Sequence, residues 1–182
     1  MPIYLYFLLA AGTALWATPF FFGRSKGQTL VKIDKRARWG VMLQCLAYSL
    51  LWQGHFWERT PSWWRVAACC CLFAVGCLIS WTATRALGRQ FRFEAALDSA
   101  HNLVRSGPYR YVRHPIYTSM LCVLLATGLI ISPLGLLLGA IIAFIAGALI
   151  RIRIEDSLLE SQFGAEFEDY RQTVPGMLPF LK

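Results

Sequence analysis

Charge is what this chain has least of. Only 15% of its 182 residues are Asp, Glu, Lys or Arg, while 57% are hydrophobic, and the mean hydropathy is +0.48. A soluble domain of this length cannot hide so much apolar surface, so a water-soluble enzyme or binding module is excluded and an integral membrane protein is what remains. Also missing is a basic segment ahead of the first apolar run, which begins at Ile3 and continues for about twenty residues, enough to cross a bilayer. That run reads as a retained transmembrane helix rather than a cleaved signal peptide.

The scarce charges are unbalanced, with 18 Lys and Arg against 10 Asp and Glu and a net charge of +8. The basic residues fall in short segments between apolar runs, where anionic lipid headgroups and topology account for them, so no nucleic-acid partner is expected. The six cysteines, at positions 45, 69, 70, 71, 77 and 122, all sit in apolar segments. Three are consecutive, which on a helix points them in different directions, so no single metal can collect them. They read as small apolar side chains, and no metal site is expected.

What is present is a series of apolar runs. Residues 3–22 form the first, with Pro19 near its end, and a segment at 23–38 with six basic residues against one Asp follows. Residues 39–57 form a second run, bracketed by tryptophans as an aromatic belt would be but containing Gln44, Gln53 and His55. Residues 58–62 form a tight turn, and a third run extends from Trp63 to between Trp81 and Thr84, making a helical hairpin with the second. Residues 116–150 carry no charge at all. At about 1.5 Å per residue that run would measure on the order of 50 Å against roughly 30 Å of hydrocarbon, so it must fold back, with the break at Ser132 and Pro133. Within its second half Gly135, Gly139, Ala143 and Gly147 recur every four residues, a strip of small side chains suited to packing inside the bundle.

Five spans result: an all-α integral membrane fold. With the N-terminus outside, the segments 23–38, 85–113 and 151–182 are cytoplasmic and hold sixteen of the eighteen Lys and Arg residues, leaving only Arg59 and Arg65 outside. Residues 1–84 are then an N-terminal three-span region and 85–182 the functional region. The latter comprises a cytosolic loop at 85–114, a helical hairpin at 115–150 and a C-terminal cytosolic segment at 151–182 with helical patterning broken at Gly164. The loop contains FRFEAAL, a DSAHN turn signal with His101, and LVRSGPY.

The stretch LVRSGPYRYVRHPIY at 103–117 delivers a polar, turn-rich segment to the start of the uncharged run. GPYRYVRHPIY at 107–117, with LGRQF at 87–91 before it and IEDSLLESQFGAEFEDYRQTVPGMLPF at 154–180 after the hairpin, resembles the isoprenylcysteine carboxyl methyltransferase family of integral membrane enzymes, related to the phospholipid N-methyltransferases. The resemblance covers about the C-terminal half. It implies S-adenosylmethionine bound on the cytosolic side, in a bacterial inner membrane or an endoplasmic-reticulum-type membrane, and a lipophilic acceptor entering from the bilayer. Carried over by motif, the pocket residues are Arg113, His114, Pro115 and Tyr117, then Glu155 with Asp156. Leu103, Val104, Gly107 and Tyr109 fall in the loop expected to form the same wall. Two departures stand out: Ser119 where a Gly commonly follows the Tyr by two, and Asp156 where the second acid is commonly Glu.

The residue chemistry agrees with that assignment. The donor's sulfonium and amino groups call for anionic acceptors, and its carboxylate for cationic or backbone donors. Glu155 can supply the first, Arg113, His114 and the amides around Gly107 the second, while Tyr109, Tyr111 and Tyr117 offer aromatic faces for adenine. An ionised carboxylate acceptor needs an Arg to hold it, and Arg151 and Arg153 are the candidates. An amine acceptor needs a base, Glu155 or His114. Arg151 and Glu155, four apart, can equally pair with each other, and His114 before Pro115 can simply open the fourth span. Carboxyl O-methylation, phospholipid or small-amine N-methylation, NADPH-dependent reduction of a sterol-like lipid and a non-catalytic membrane subunit are the functions weighed, the first leading. A monomer among membrane lipids is expected.

Overall fold

The computed structural model describes residues 1–22, 32–33, 36–88, 96–97 and 103–178. The basic segment at 23–31, the end of the LGRQF block at 89–91, most of FRFEAAL, the turn with His101 and residues 179–182 lie outside the described residues. Among the described residues six α-helices carry the fold: α1 (Ile3–Phe22), α2 (Ala37–Leu51), α3 (Trp63–Leu87), α4 (Pro115–Ile131), α5 (Leu134–Phe163) and α6 (Ala165–Thr173). A two-residue antiparallel pairing joins β1 (Lys32–Ile33) to β2 (Ala96–Leu97).

Among the described residues three helices, α1, α3 and α5, are long and apolar enough to cross a membrane. The other two apolar helices are shorter, 15 residues in α2 and 17 in α4. The helix of the second run ends at Leu51, six residues before Trp57, because the chain turns at Trp52–Gly54 and enters a 3-10 turn at Phe56–Glu58. Gly54 lies against Pro133 there, where an added Cβ would approach the Pro133 ring to 3.1 Å. The third helix runs past Thr84 to Leu87 and stops at Gly88, whose φ of 53° closes it.

The fold-back falls at Ser132 and Pro133 as the sequence suggests, and Ser132 Oγ donates to the Leu51 carbonyl at 2.8 Å. Beyond Ile150 the helix does not break. α5 continues for 30 residues, about 45 Å at 1.5 Å per residue, because no Gly or Pro intervenes before Gly164. That length exceeds a hydrocarbon layer of about 30 Å by roughly a third of the helix, and Arg151, Arg153, Glu155 and Asp156 flank the point near Ile154 where this projecting excess begins. Gly164, with φ of 52°, then redirects the chain into α6.

α2 and α3 do not form the expected hairpin: α2 lies along α5, and α3 along α4 and α1. The reason is steric. A Cβ on Gly40 would meet the Gly147 carbonyl at 2.6 Å, and one on Gly76 would meet the Ser119 carbonyl at 3.3 Å, so α2 and α3 each seat on the central α4–α5 pair. α1 packs on α3 through Gly12 against the Phe73 ring, with Trp81 Nε1 donating to the Leu15 carbonyl at 3.1 Å. Within the small-residue strip only Gly147 makes such a close approach. Gly135 and Gly139 face open space, and Ala143 packs against the core.

The core gathers Leu5, Leu51, Leu124, Ile130, Ile131 and Phe144, all fully buried, along the middle of this bundle. Large apolar residues such as Phe7, Trp39, Met42, Leu78 and Ile142 are exposed on its outside, as lipid contact requires. Of the free cysteines, Cys69 and Cys77 point inward and Cys45, Cys70 and Cys71 outward. His55 precedes the 3-10 turn and its ring stands edge-on to Trp57, at the end of the bundle opposite His114.

Candidate functional site

At the other end, the start of α4, the projecting part of α5 and the tail after α6 converge. Pro115, fully buried, occupies the first position of α4, where its missing N–H costs nothing. This fixes His114 at the helix start. Its backbone N–H donates to the Gly176 carbonyl and that of Arg113 to the Pro175 carbonyl, both at 2.9 Å. Thr118 Oγ donates to the Met177 carbonyl at 2.6 Å. Residues 175–177 are thereby strapped across the mouth of α4.

The side chains behind this strap form one network. His114 Nε2 lies 2.8 Å from Asp156 Oδ1, and its Nδ1 lies 3.4 Å from Glu155 Oε2. Arg113 Nη2 pairs with Asp156 Oδ2 at 3.0 Å, while its Nη1 donates to the Arg171 carbonyl at 3.0 Å and the Val174 carbonyl at 2.5 Å. Tyr117 donates its hydroxyl to Glu155 Oε1 at 2.5 Å and accepts from Arg151 Nε at 2.5 Å. Arg151 Nη2 closes the loop on Glu155 Oε1 at 3.2 Å, its guanidinium lying over the Tyr117 ring. Among the described residues Arg113 Nε is buried without a partner.

Burial works against a charged His114, yet hydrogen bonds to Asp156 and Glu155, and their charges, outweigh it and push the ring up to about 9. Since both ring nitrogens face carboxylates, the imidazolium is the form this geometry suits. The cluster then holds three cations, Arg113, His114 and Arg151, against two anions, and it can accept a further negative charge.

Above the network sits the loop. Gly107, with φ of 61°, begins a 3-10 turn, Gly107–Arg110, packed near Ala86 and Thr82 at the end of α3. Tyr109 is buried, and its carbonyl accepts from the Tyr170 hydroxyl at 2.5 Å. Burial, then the negative charge of Glu155, raises the Tyr109 hydroxyl well above its ordinary value, and burial pushes Tyr170 up to about 12. Arg105 stacks over the Tyr170 ring and pairs with Glu166 at 3.4 Å.

The structure brings together Arg113, His114, Pro115, Tyr117, Arg151, Glu155 and Asp156, with Tyr109 beside them. Arg151 and Glu155 do pair, but within the network rather than apart from it. Leu103 and Val104 are half-buried ahead of the turn, and Tyr111 is exposed. Arg153 is exposed and projects from a different side of α5 than Arg151 and Glu155, since residues two apart on a helix do not share a face. The shorter Asp156 still reaches both His114 and Arg113. Ser119, fully buried, accepts from Trp16 Nε1 at 3.1 Å. The close approach expected of a glycine at that position is supplied from the facing helix by Gly76.

Sequence reasoning did not find Tyr170 or the strap at 175–177. A signal was available only for the second, in the prolines bounding VPGMLPF.

Fold and site together define a class: a helical bundle of membrane dimensions with one buried, ionised centre at one end. Its relatives narrow that class. The profile of a family described as phospholipid methyltransferase matches residues 64–166, more than half of the chain and all the side chains of the network. The chain belongs to the phospholipid methyltransferase family. It is 28% identical over 122 residues to protein-S-isoprenylcysteine O-methyltransferase B of Arabidopsis thaliana, covering 65% of this chain and 61% of that protein. To the protein-S-isoprenylcysteine O-methyltransferase of Schizosaccharomyces pombe it is 36% identical over 90 residues, 44% of this chain and 34% of that protein. To the cobalt-zinc-cadmium resistance protein CzcN of Cupriavidus metallidurans it is 29% identical over 148 residues, 79% and 62% respectively. The chain thus spans less than two thirds of each of these relatives.

Proposed function

We propose that the chain is an S-adenosylmethionine-dependent methyltransferase acting on a lipophilic acceptor, most like carboxyl O-methylation of an isoprenylated cysteine. In this reading five helices, α1 to α5, cross the bilayer with the N-terminus outside, and the His114–Glu155–Asp156 network faces the cytosol. The observation that carries it is that two sequence blocks 38 to 43 residues apart meet in one buried ionised cluster. That cluster lies where water and bilayer adjoin.

The residues present suit the methyl donor. Arg113 has an unpartnered buried Nε, the paired acids supply acceptors for cationic groups, and the Tyr109 and Tyr117 rings lie alongside. When bound, S-adenosylmethionine supplies a methyl group on a cationic sulfur, open to in-line displacement. Arg113, Glu155 and Asp156 would hold it, and the strap at 175–177 would keep water out. Arg151, nearest the apolar part of α5, is the cation for an ionised acceptor. His114, held protonated, is poorly suited to remove a proton, which favours an acceptor that is ionised before it binds.

The test is titration of the purified chain with S-adenosylhomocysteine and with NADPH, followed by incubation of membranes with methyl-labelled S-adenosylmethionine. Label is expected in an alkali-labile ester on a lipidated acceptor, and lost in His114→Ala and Glu155→Ala. Binding of NADPH alone, or turnover unchanged in both variants, overturns the reading.

A further inference from the structure

One polar side chain inside the apolar bundle is left without a role by the network. Gln44, on α2, is 95% buried by its 5% exposure, and its Nε2 has no hydrogen-bond partner among the described residues. An amide N–H₂ in that position loses its water and receives no acceptor in return, and polar groups placed so within a membrane are retained for function more than for folding.

Its neighbours say where it lies. Gly40, one turn earlier on α2, is so close to Arg151 that an added Cβ would come within 2.5 Å of the Arg151 Cγ, and a Cβ on Gly147 would come within 3.2 Å of the Gln44 Cγ. Gln44 is therefore about one turn, some 5 Å, further into the bundle than Arg151. Arg151 itself reaches the other way, to Tyr117 and Glu155. One turn deeper still, Tyr48 is satisfied, donating to the Met120 carbonyl at 2.7 Å. Gln44 thus stands at the bilayer side of the ionised cluster with an unused donor.

We infer that Gln44 reads the polar head of the methyl acceptor, donating through Nε2 to a carboxylate or carbonyl oxygen of an amphiphile whose tail lies toward the bilayer. The inference rests on the methyltransferase reading and sharpens it. An unpartnered N–H₂ calls for an oxygen acceptor, and Arg151, one turn away in a cluster of three cations against two anions, favours a negatively charged one. An ammonium head offers neither, so the pair selects an acid head over an amine head.

The full chain in lipid nanodiscs is assayed with methyl-labelled S-adenosylmethionine and two amphiphiles of equal tail length, an N-acetyl-S-alkylcysteine and an alkylamine. Wild type methylates the first in preference to the second. Gln44→Leu raises KM for the cysteine amphiphile about tenfold, the loss of one buried hydrogen bond, leaves kcat within about twofold, and leaves S-adenosylhomocysteine affinity unchanged. Gln44→Glu raises KM further, because like charges then face each other. The thermal midpoint of Gln44→Leu is no lower than that of wild type, since an unsatisfied amide has been removed. An unchanged KM in Gln44→Leu, or preference of wild type for the alkylamine, overturns the inference. If neither amphiphile is methylated, the methyltransferase reading fails instead, and direct binding of the cysteine amphiphile to wild type and Gln44→Leu still decides the role of Gln44: tenfold weakening supports it and equal binding refutes it.

Discussion

Replacing Asp156 by Asn removes one negative charge from the most enclosed part of the cluster while leaving its volume unchanged. Asp156 takes His114 Nε2 at 2.8 Å and Arg113 Nη2 at 3.0 Å, and its side chain and that of Arg113 are both nearly buried. Removing one partner of a buried pair leaves the other charge uncompensated, at a cost of about 3–5 kcal/mol. Arg113 retains its bonds to the Arg171 and Val174 carbonyls, and the Asn oxygen can still accept one hydrogen bond, so the lower end of that range, about 3 kcal/mol, is expected. The His114 ring should titrate lower than its present value of about 9, because the first of its two carboxylate partners is gone. Reversible unfolding in mixed micelles measures the first quantity, and nitrogen-15 NMR of the three histidines measures the second. A loss under about 1 kcal/mol, the worth of an exposed pair, together with an unmoved His114 resonance, would refute the view that this network is a single electrostatic unit.

Three further outcomes follow from the same geometry. Because the folded His114 ring titrates near 9 against about 6.5 unfolded, its contribution to stability is fully present below about pH 6.5 and is lost as pH rises through about 9. The difference is on the order of 3 kcal/mol, visible by comparing unfolding at pH 6 and pH 9.5, and stability constant across that window would remove the buried imidazolium. Gly40→Ala forces a Cβ to within 2.6 Å of the Gly147 carbonyl, while Gly139→Ala meets nothing within 4 Å. The first should destabilise by about 1–3 kcal/mol and disturb Arg151, the second should be neutral or slightly stabilising, and equal thermal midpoints would contradict the α2–α5 seam. Arg151→Ala should depress methyl transfer at least about tenfold more than Arg153→Ala, a difference of about 1.4 kcal/mol in transition-state binding, and equal effects in labelled-methyl turnover would count against separating the two by helix face.

The fold was legible where a break is local. Ser132 and Pro133 had to end α4 because a charge-free run of 35 residues exceeds a single crossing, and Gly164 had to end a helix because nothing else between Arg151 and the tail could. Partnership between helices was not legible. Trp39–Trp57 and Trp63–Thr84, close in sequence and each framed by aromatics, suggest a hairpin. What separates α2 from α3 is the complementarity of Gly40 with Gly147 and of Gly76 with the Ser119 backbone, contacts between distant residues that no periodicity within one helix encodes.

The site divides the same way. Arg113, His114, Tyr117, Glu155 and Asp156 were singled out through the motif resemblance, and what the structure adds is that their side chains meet in one network. Tyr170 was hidden because it works through a backbone carbonyl, that of Tyr109, and any tyrosine on α6 looks alike in sequence. Gln44 shows why the limit is physical. In the one-dimensional pattern it merely made the second run more polar. Its meaning appears only when Gly40 and Gly147 draw α2 close to α5, which strips the amide of water and aims it beside Arg151. The small residues that decide helix partnership thus also decide which polar groups become functional, and a change at Gly147 should move head-group selectivity as well as stability.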